Sequence, residues 1–265
     1  MYTFSFESYG VRVGLKCNDE AVFERSVAVI KSCLLGNLIE IDPILNEHVF
    51  CVESRENGLY LALGEEELAD GGQARTFYSY FDSWVRLVVA EHSKDLVFLH
   101  CGAVAFNGKG ILFPGDSFTG KTTLVAELVK LGATYYSDEY AIIDRAGLLH
   151  PFARPLALRD RVDLAKRTDV SAASLGGVVG TDPIPVAAVF FLTYREDAKW
   201  APRRLSAGEG LMRLLPQAIP LRINSKFTLS ALNRISKDAT FYKSGRSTTE
   251  NSINQILELI DKSIV

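Results

Sequence analysis

The chain has no excess of positive charge. Its 29 Lys and Arg stand against 32 Asp and Glu, for a formal net charge of −3 over 265 residues, so it carries no basic field to hold nucleic acid. No apolar run approaches the length or purity of a transmembrane span, which disfavours a membrane partner. The first residues, Met1-Tyr-Thr-Phe-Ser-Phe-Glu7, have neither the basic head nor the apolar stretch of a secretion signal. Cysteine is scarce: Cys17, Cys33, Cys51 and Cys101 are scattered without metal-ligand spacing and without histidine clusters, so a protein-bound transition metal is not expected. They read as buried small hydrophobes, reduced, in a cytoplasmic protein. Internal repeats, low-complexity tracts and heptads are missing as well. What remains is an ordinary soluble globular chain, 48% hydrophobic, long enough for one large core or one core with a small satellite lobe.

Hydrophobic periodicity divides the chain into two regions. In residues 1–95, Tyr2 to Leu15 alternates like a strand and Glu20 to Leu35 has helical character. His48 to Glu53 and Leu59 to Leu63 read as strands joined through Asn57-Gly58. Phe77, Tyr80, Phe81, Trp84, Leu87 and Val88 fall at helical spacing over Arg75 to Ala90, describing an amphipathic helix that connects this α+β lobe to the second region. Residues 96–265 open with apolar strands at Leu96 to His100 and Gly102 to Phe106. The turn Asn107-Gly108-Lys109-Gly110 then predicts an antiparallel hairpin, and hence a mixed sheet. Further strands are expected at Thr134 to Ser137, Tyr140 to Ile143 and Val186 to Tyr194, with a turn at Asp144 to Gly147. A short helix over Leu211 to Leu215 and a capping-box helix after Ser247 complete the pattern. The glycine-containing stretch Ser171 to Pro185 reads as a loop. The fold class is therefore α/β around a mixed sheet, with a small N-terminal α+β lobe.

The strongest chemical signal comes directly after the apolar run Ile111-Leu-Phe113. Gly115, Asp116, Ser117, Phe118, Thr119, Gly120, Lys121, Thr122 and Thr123 satisfy the pattern G-x-x-x-x-G-K-[ST]. The glycines let successive backbone N–H groups turn toward a phosphate, Lys121 supplies a point charge, and Thr122 offers a hydroxyl to Mg²⁺. Lys121 to Leu131 continues as a helix with Leu124, Val125, Leu128 and Val129 on one face and Gly132 as its stop. Its positive N-terminal end points at the phosphates. These residues read phosphate and not base, which leaves ATP, GTP and pyrophosphate open as ligands.

Asp138 and Glu139 come after a strand beyond this loop. A carboxylate there can hold Mg²⁺ or take a hydroxyl proton during phosphoryl transfer; alternatively the pair is a solvated acidic turn. Neighbouring strand residues point to opposite faces, so both can face the phosphates only if the chain bends. His100 ends the apolar strand before Cys101-Gly102. It is either a satisfied core histidine or an imidazole hydrogen-bonded to the carboxylate or to phosphate.

Together, Leu99-His100-Cys-Gly-Ala-Val, the phosphate loop, and Tyr136-Ser-Asp138-Glu139-Tyr140 resemble the catalytic core of the HPr kinase/phosphorylase family over roughly residues 96 to 160. The resemblance implies a phosphoenolpyruvate-carboxykinase-like core. It makes Asp138 the base, Lys121 and Thr122 the phosphate and Mg²⁺ ligands, His100 the family's strand-borne histidine, and Glu139 a replacement for its second aspartate. The chain departs from the family downstream, where no Met-Glu-Ile-Arg-Gly-like stretch serves dephosphorylation. Instead His150-Pro-Phe-Ala-Arg154-Pro-Leu-Ala-Leu-Arg159 is similar to the HPr-kinase-like branch, which includes kinases of lasso precursor peptides. Arg154 and Arg159 are then candidates to neutralise phosphate or an acidic peptide terminus, or else belong to a basic surface turn. The implied reaction is ATP- and Mg²⁺-dependent transfer to a serine or threonine of an HPr-like protein or a precursor peptide. The implied assembly is a homo-oligomer. A regulatory module that binds nucleotide without transfer, and a small-molecule kinase on the same core, remain open alternatives.

Overall fold

The computed structural model describes residues 1–71, 73–115, 120–159 and 167–264. Contacts divide the chain into two compact units, Met1–Asp95 and Leu96–Val265.

The first unit contains β1 (Tyr2–Ser8), β2 (Val11–Cys17), α1 (Glu20–Cys33), β3 (Ile39–Glu40), β4 (His48–Arg55), β5 (Gly58–Leu63), β6 (Glu66–Asp70) and α2 (Ala74–His92). The alternation of Tyr2 to Leu15 is a hairpin and not one strand. Tyr9 and Gly10 both take positive φ, 49° and 78°, the backbone that lets two residues reverse a twisted pair of strands. The sheet order is β3-β1-β2-β4-β5-β6, with β2 and β4 parallel. Asp19 starts α1 by accepting the Val22 N–H at 2.9 Å. The aromatic stripe of α2 is core: Phe77, Phe81 and Val88 pack with Phe6, Phe50 and Ile30.

The second unit runs β7 (Leu96–Phe106), β8 (Lys109–Pro114), α3 (Lys121–Lys130), β9 (Thr134–Ser137), β10 (Tyr140–Asp144), β11 (Leu148–His150), β12 (Leu156–Arg159) and β13 (Arg167–Val170). Then come β14 (Ile184–Tyr194), β15 (Arg203–Leu205), α4 (Ala207–Leu214), α5 (Ser225–Asp238), β16 (Thr240–Arg246) and α6 (Thr249–Ile264). The two apolar runs before the phosphate motif are a single strand, β7. It turns at Asn107 and Gly108, φ 49° and 72°, into antiparallel β8. Beyond β8 the sheet becomes parallel through β14 and β16, and β15 closes that edge antiparallel. On its other side β7 carries β9 and β10 end to end, both antiparallel. β11 pairs with β10 and also with β14, so β7, β8, β14, β11 and β10 form a closed ring.

Helices cover both faces of this mixed sheet. Leu124, Val125 and Leu128 of α3 and Ile256 and Ile260 of α6 bury Phe113, Tyr135 and Phe190 on one face. Leu214 of α4 and Leu232 and Ile235 of α5 bury Leu99, Cys101 and Val189 on the other. With both faces covered, β14 is apolar along its centre, and Ala188, Val189 and Phe190 are fully buried. Part of the expected loop 171–185 is tied down, since Tyr135 N donates to Val178 O at 2.7 Å and Gly180 N to Tyr135 O at 2.9 Å. Among the described residues no helix is long and apolar enough to cross a membrane.

Candidate functional site

The site begins where β8 ends. After Pro114, the last residue of β8, the chain leaves the sheet at Gly115, and α3 starts at Lys121 after Gly120, which takes φ +77°. Residues Asp116, Ser117, Phe118 and Thr119 lie outside the described part of the chain. Lys121 Nζ donates back to the Gly115 carbonyl at 2.5 Å, so the lysine spans the segment from its exit to its entry. Thr122 is half-buried and Thr123 is exposed. The N–H groups of the first turn of α3, with the positive end of its dipole, lie at this N-terminus beside Gly120. Glycine at 102 lets α3 lie directly on β7, because a Cβ there would stand 2.8 Å from Cγ2 of Val125.

The acidic pair lies level with the loop entry. Ser137 pairs with Ala103 and Tyr140 with His100, which leaves Asp138 and Glu139 opposite Gly102 and Cys101. Cys101 N donates to Glu139 O at 3.0 Å. On the other edge of β7, Gly102 pairs with Phe113 and Cys101 with Pro114. One strand therefore separates the acids from the residue that opens the loop, a backbone distance of roughly 10 Å at normal strand spacing.

The chain bends at both acids. Ser137 Oγ, fully buried, accepts from the N–H groups of Glu139 (3.3 Å) and Tyr140 (3.1 Å) and holds the bend. Strict alternation of faces therefore does not apply here. Glu139 Oε2 stands 3.7 Å from Arg154 Nη1, and the Arg154 carbonyl accepts from Tyr135 Oη at 2.7 Å. Burial first, and then the charge of Asp138, push the Tyr135 phenol far above its ordinary range, so it stays a neutral donor. Burial likewise pushes the Cys101 thiol far up against the opposing pull of Lys121. That leaves a structural sulfur.

His100 is half-buried and pairs with Tyr140. Two residues from Gly102 along β7, it shares the face that α3 covers. The structure thus gathers His100, Lys121, Asp138, Glu139 and Arg154 around the middle of β7. Arg159 ends β12, and its side chain lies outside the described residues.

Models of known protein families and curated proteins yield no match to this chain. The reading of the site therefore rests on its own geometry.

That geometry includes a residue that the sequence pattern does not single out. Arg246 ends β16 and is 2% exposed. Its Nη2 donates to the Gly120 carbonyl at 2.8 Å and its Nη1 to the Ser247 carbonyl at 3.4 Å, with Cζ 5.6 Å from the Tyr194 ring centre. Burial lowers its pKa from the usual arginine value. The local sequence Thr240-Phe-Tyr-Lys-Ser-Gly-Arg246 carries no phosphate motif; only strand pairing beside β14 brings its end to the loop.

Chemically, the site sets Lys121 at Gly115, Arg246 at Gly120 and the N-terminus of α3 after it, with two carboxylates one strand away. Lys121, Arg246 and the N–H groups of α3 suit a phosphate tail. Thr122, Asp138 and Glu139 offer oxygen ligands of the kind a hard divalent cation takes. Among the described residues no group of three or more His, Cys, Asp or Glu side chains is placed to hold a metal by itself.

Proposed function

We propose that this chain is an HPr-kinase-like enzyme that transfers a phosphoryl group from ATP to a serine or threonine hydroxyl of a protein or peptide. The observation that carries the reading is the placement of Asp138 opposite Gly102, level with the Pro114–Gly115 entry to the loop and one strand from it. A carboxylate so placed reaches an acceptor that approaches the end of a phosphate tail bound at α3. Asp138 takes the hydroxyl proton as the acceptor oxygen bonds to phosphorus and the bond to the departing diphosphate breaks. Lys121 and the first N–H groups of α3 stabilise the charge that gathers on the phosphate oxygens. Thr122 and Glu139 would supply oxygen ligands to Mg²⁺. Bound MgATP would supply the phosphoryl group and the divalent charge. The ion contact from Arg154 meets Glu139, and His100, two residues from Gly102 on the face of β7 that α3 covers, would orient Asp138 by a hydrogen bond.

The test is transfer of label from γ-labelled ATP with Mg²⁺ to HPr, to precursor peptides, and to a small-molecule extract. Label on a protein or peptide that disappears in Asp138→Asn, while ATP binding persists, is the expected result. Label only in the low-mass fraction would replace this reading with a small-molecule kinase. ATP binding with no label in any fraction would replace it with a regulatory module.

A further inference from the structure

The segment 177–181 has the composition of a loop and the fixings of a strand. A Cβ on Gly177 would collide with Val129 of α3, and one on Gly180 with the ring of Tyr136. Tyr136 Oη donates to the Asp182 carbonyl at 2.8 Å. Tyr135 of β9 bridges Val179 in parallel, with Tyr135 N donating to Val178 O and Gly180 N to Tyr135 O. Backbone groups alternate sides along a strand, so the N–H and C=O of Val179 point away from β9. Among the described residues no hydrogen-bond partner meets the backbone groups of Val179 or of Thr181. This edge lacks the usual guards, because residues 171–181 include no charged side chain and no proline. Val178 is 69% exposed and Val179 42%.

The chemistry of such an edge selects its partner. Unpaired N–H and C=O groups on a fixed strand are met by another extended backbone, and outward valines by apolar or β-branched side chains. Its place in the fold points to the acceptor. β9 runs on from Tyr135 to Ser137, and Asp138 follows. Asp138 thus lies three residues past the level of Val179, about 10 Å along the strand, and a guest strand outside 177–181 would lie about 10 Å from β9 across the sheet. The direct distance is about 14 Å, which about four residues of extended chain span.

We propose that residues 178–181 bind the acceptor chain as an added β-strand, holding apolar or β-branched residues about four positions from the serine or threonine that Asp138 serves. This rests on the transfer reading of the site and adds where the acceptor is held.

The full chain with γ-labelled ATP, Mg²⁺ and a pool of random peptides carrying one fixed serine tests this. Labelled peptides are expected to be enriched in Val, Ile and Thr about four positions from the serine. Val179→Pro removes the outward N–H and spares both bonds to Tyr135. It is expected to raise KM for those peptides about three- to tenfold, the range of one hydrogen bond. No enrichment at that distance, or the wild-type KM in the variant, would overturn the inference. If the variant does not fold, methylation of alternate peptide nitrogens replaces it: a raised KM for one alternating set supports strand addition, and an equal effect of both sets, or none, overturns it. If no peptide is labelled, transfer to peptides is refuted and hydrogen exchange decides the docking by itself. Slower exchange of the Val179 N–H on adding the pool supports the edge, and unchanged exchange overturns it. Slower exchange that follows protein concentration without peptide would assign the edge to a second copy of the chain and overturn the inference too.

Discussion

Alanine at position 102 should push α3 off the sheet, and a second substitution should let it back. The new methyl would stand 2.8 Å from Cγ2 of Val125, about 1 Å inside the best carbon–carbon separation. Val125 is fully buried and cannot swing into solvent. Overpacking of this kind costs about 1–3 kcal/mol. Val125→Ala alone removes two buried methyl groups at about 0.8 kcal/mol each and leaves a cavity, for about 2–3 kcal/mol in total. In the double variant the methyl at 102 occupies part of the space vacated by Val125. The expected loss is then about 1–2 kcal/mol, short of additivity by about 2–4 kcal/mol. Urea unfolding followed by Trp200 fluorescence in a Trp84→Phe background reads the right core, because Trp200 packs against the cluster that contains Val125. Trp84 belongs to the first unit, and the chain has two tryptophans. Additivity within about 0.5 kcal/mol would show that Gly102 and Val125 do not meet, and would refute the close seating of α3 on β7.

Two further outcomes are expected. His48 and His92 lie with ring centres 4.0 Å apart, and His48 has its pKa lowered from 6.5 by burial first and then by His92, with Lys94 adding and Glu47 opposing. Because the folded value lies below the unfolded one, the stabilising effect is present above pH 6.5 and is lost as pH falls toward the folded value. Thermal melts of the first unit followed at Trp84, in a Trp200→Phe background, should therefore drop between pH 7.5 and 5.5, and His48→Phe should flatten that slope; an unchanged slope would refute the assignment. Gly120→Ala should cost about 1–2 kcal/mol from its left-handed backbone alone, and more where Arg246 is present to be struck. Urea unfolding of Gly120→Ala in wild-type and Arg246→Ala backgrounds separates the two costs, and equal losses would show that the collision is relieved elsewhere.

The elements that were legible in the chain are those specified within a few residues. Asn107-Gly108 encodes its hairpin because both residues tolerate positive φ, and α3 arises from the spacing of Leu124, Val125 and Leu128. Tyr9 hid the first hairpin, since a bulky residue at positive φ gives no turn signal. The strand β16 and the helix α5 were not legible. The polar run Thr240 to Arg246 becomes a strand by pairing on β14 and β15, and Ser225 to Asp238 becomes an ordered helix through three buried apolar positions, Ala231, Leu232 and Ile235.

The candidate site divides along the same line. By itself the sequence determined which residue types stand at the loop, Gly115, Gly120, Lys121 and Thr122, because a glycine-bounded turn and the helix after it are matters of neighbouring φ, ψ and side-chain chemistry. It also determined that an acidic pair comes one helix and one strand later. Only the tertiary structure decided that Asp138 stands opposite Gly102, that the chain bends there, that Arg154 comes to Glu139, and that Arg246 closes on Gly120. Register and strand order bring Asp138 to Gly102 across 36 positions (138 − 102) and Arg246 to Gly120 across 126 (246 − 120), and no local preference encodes a pairing across such distances.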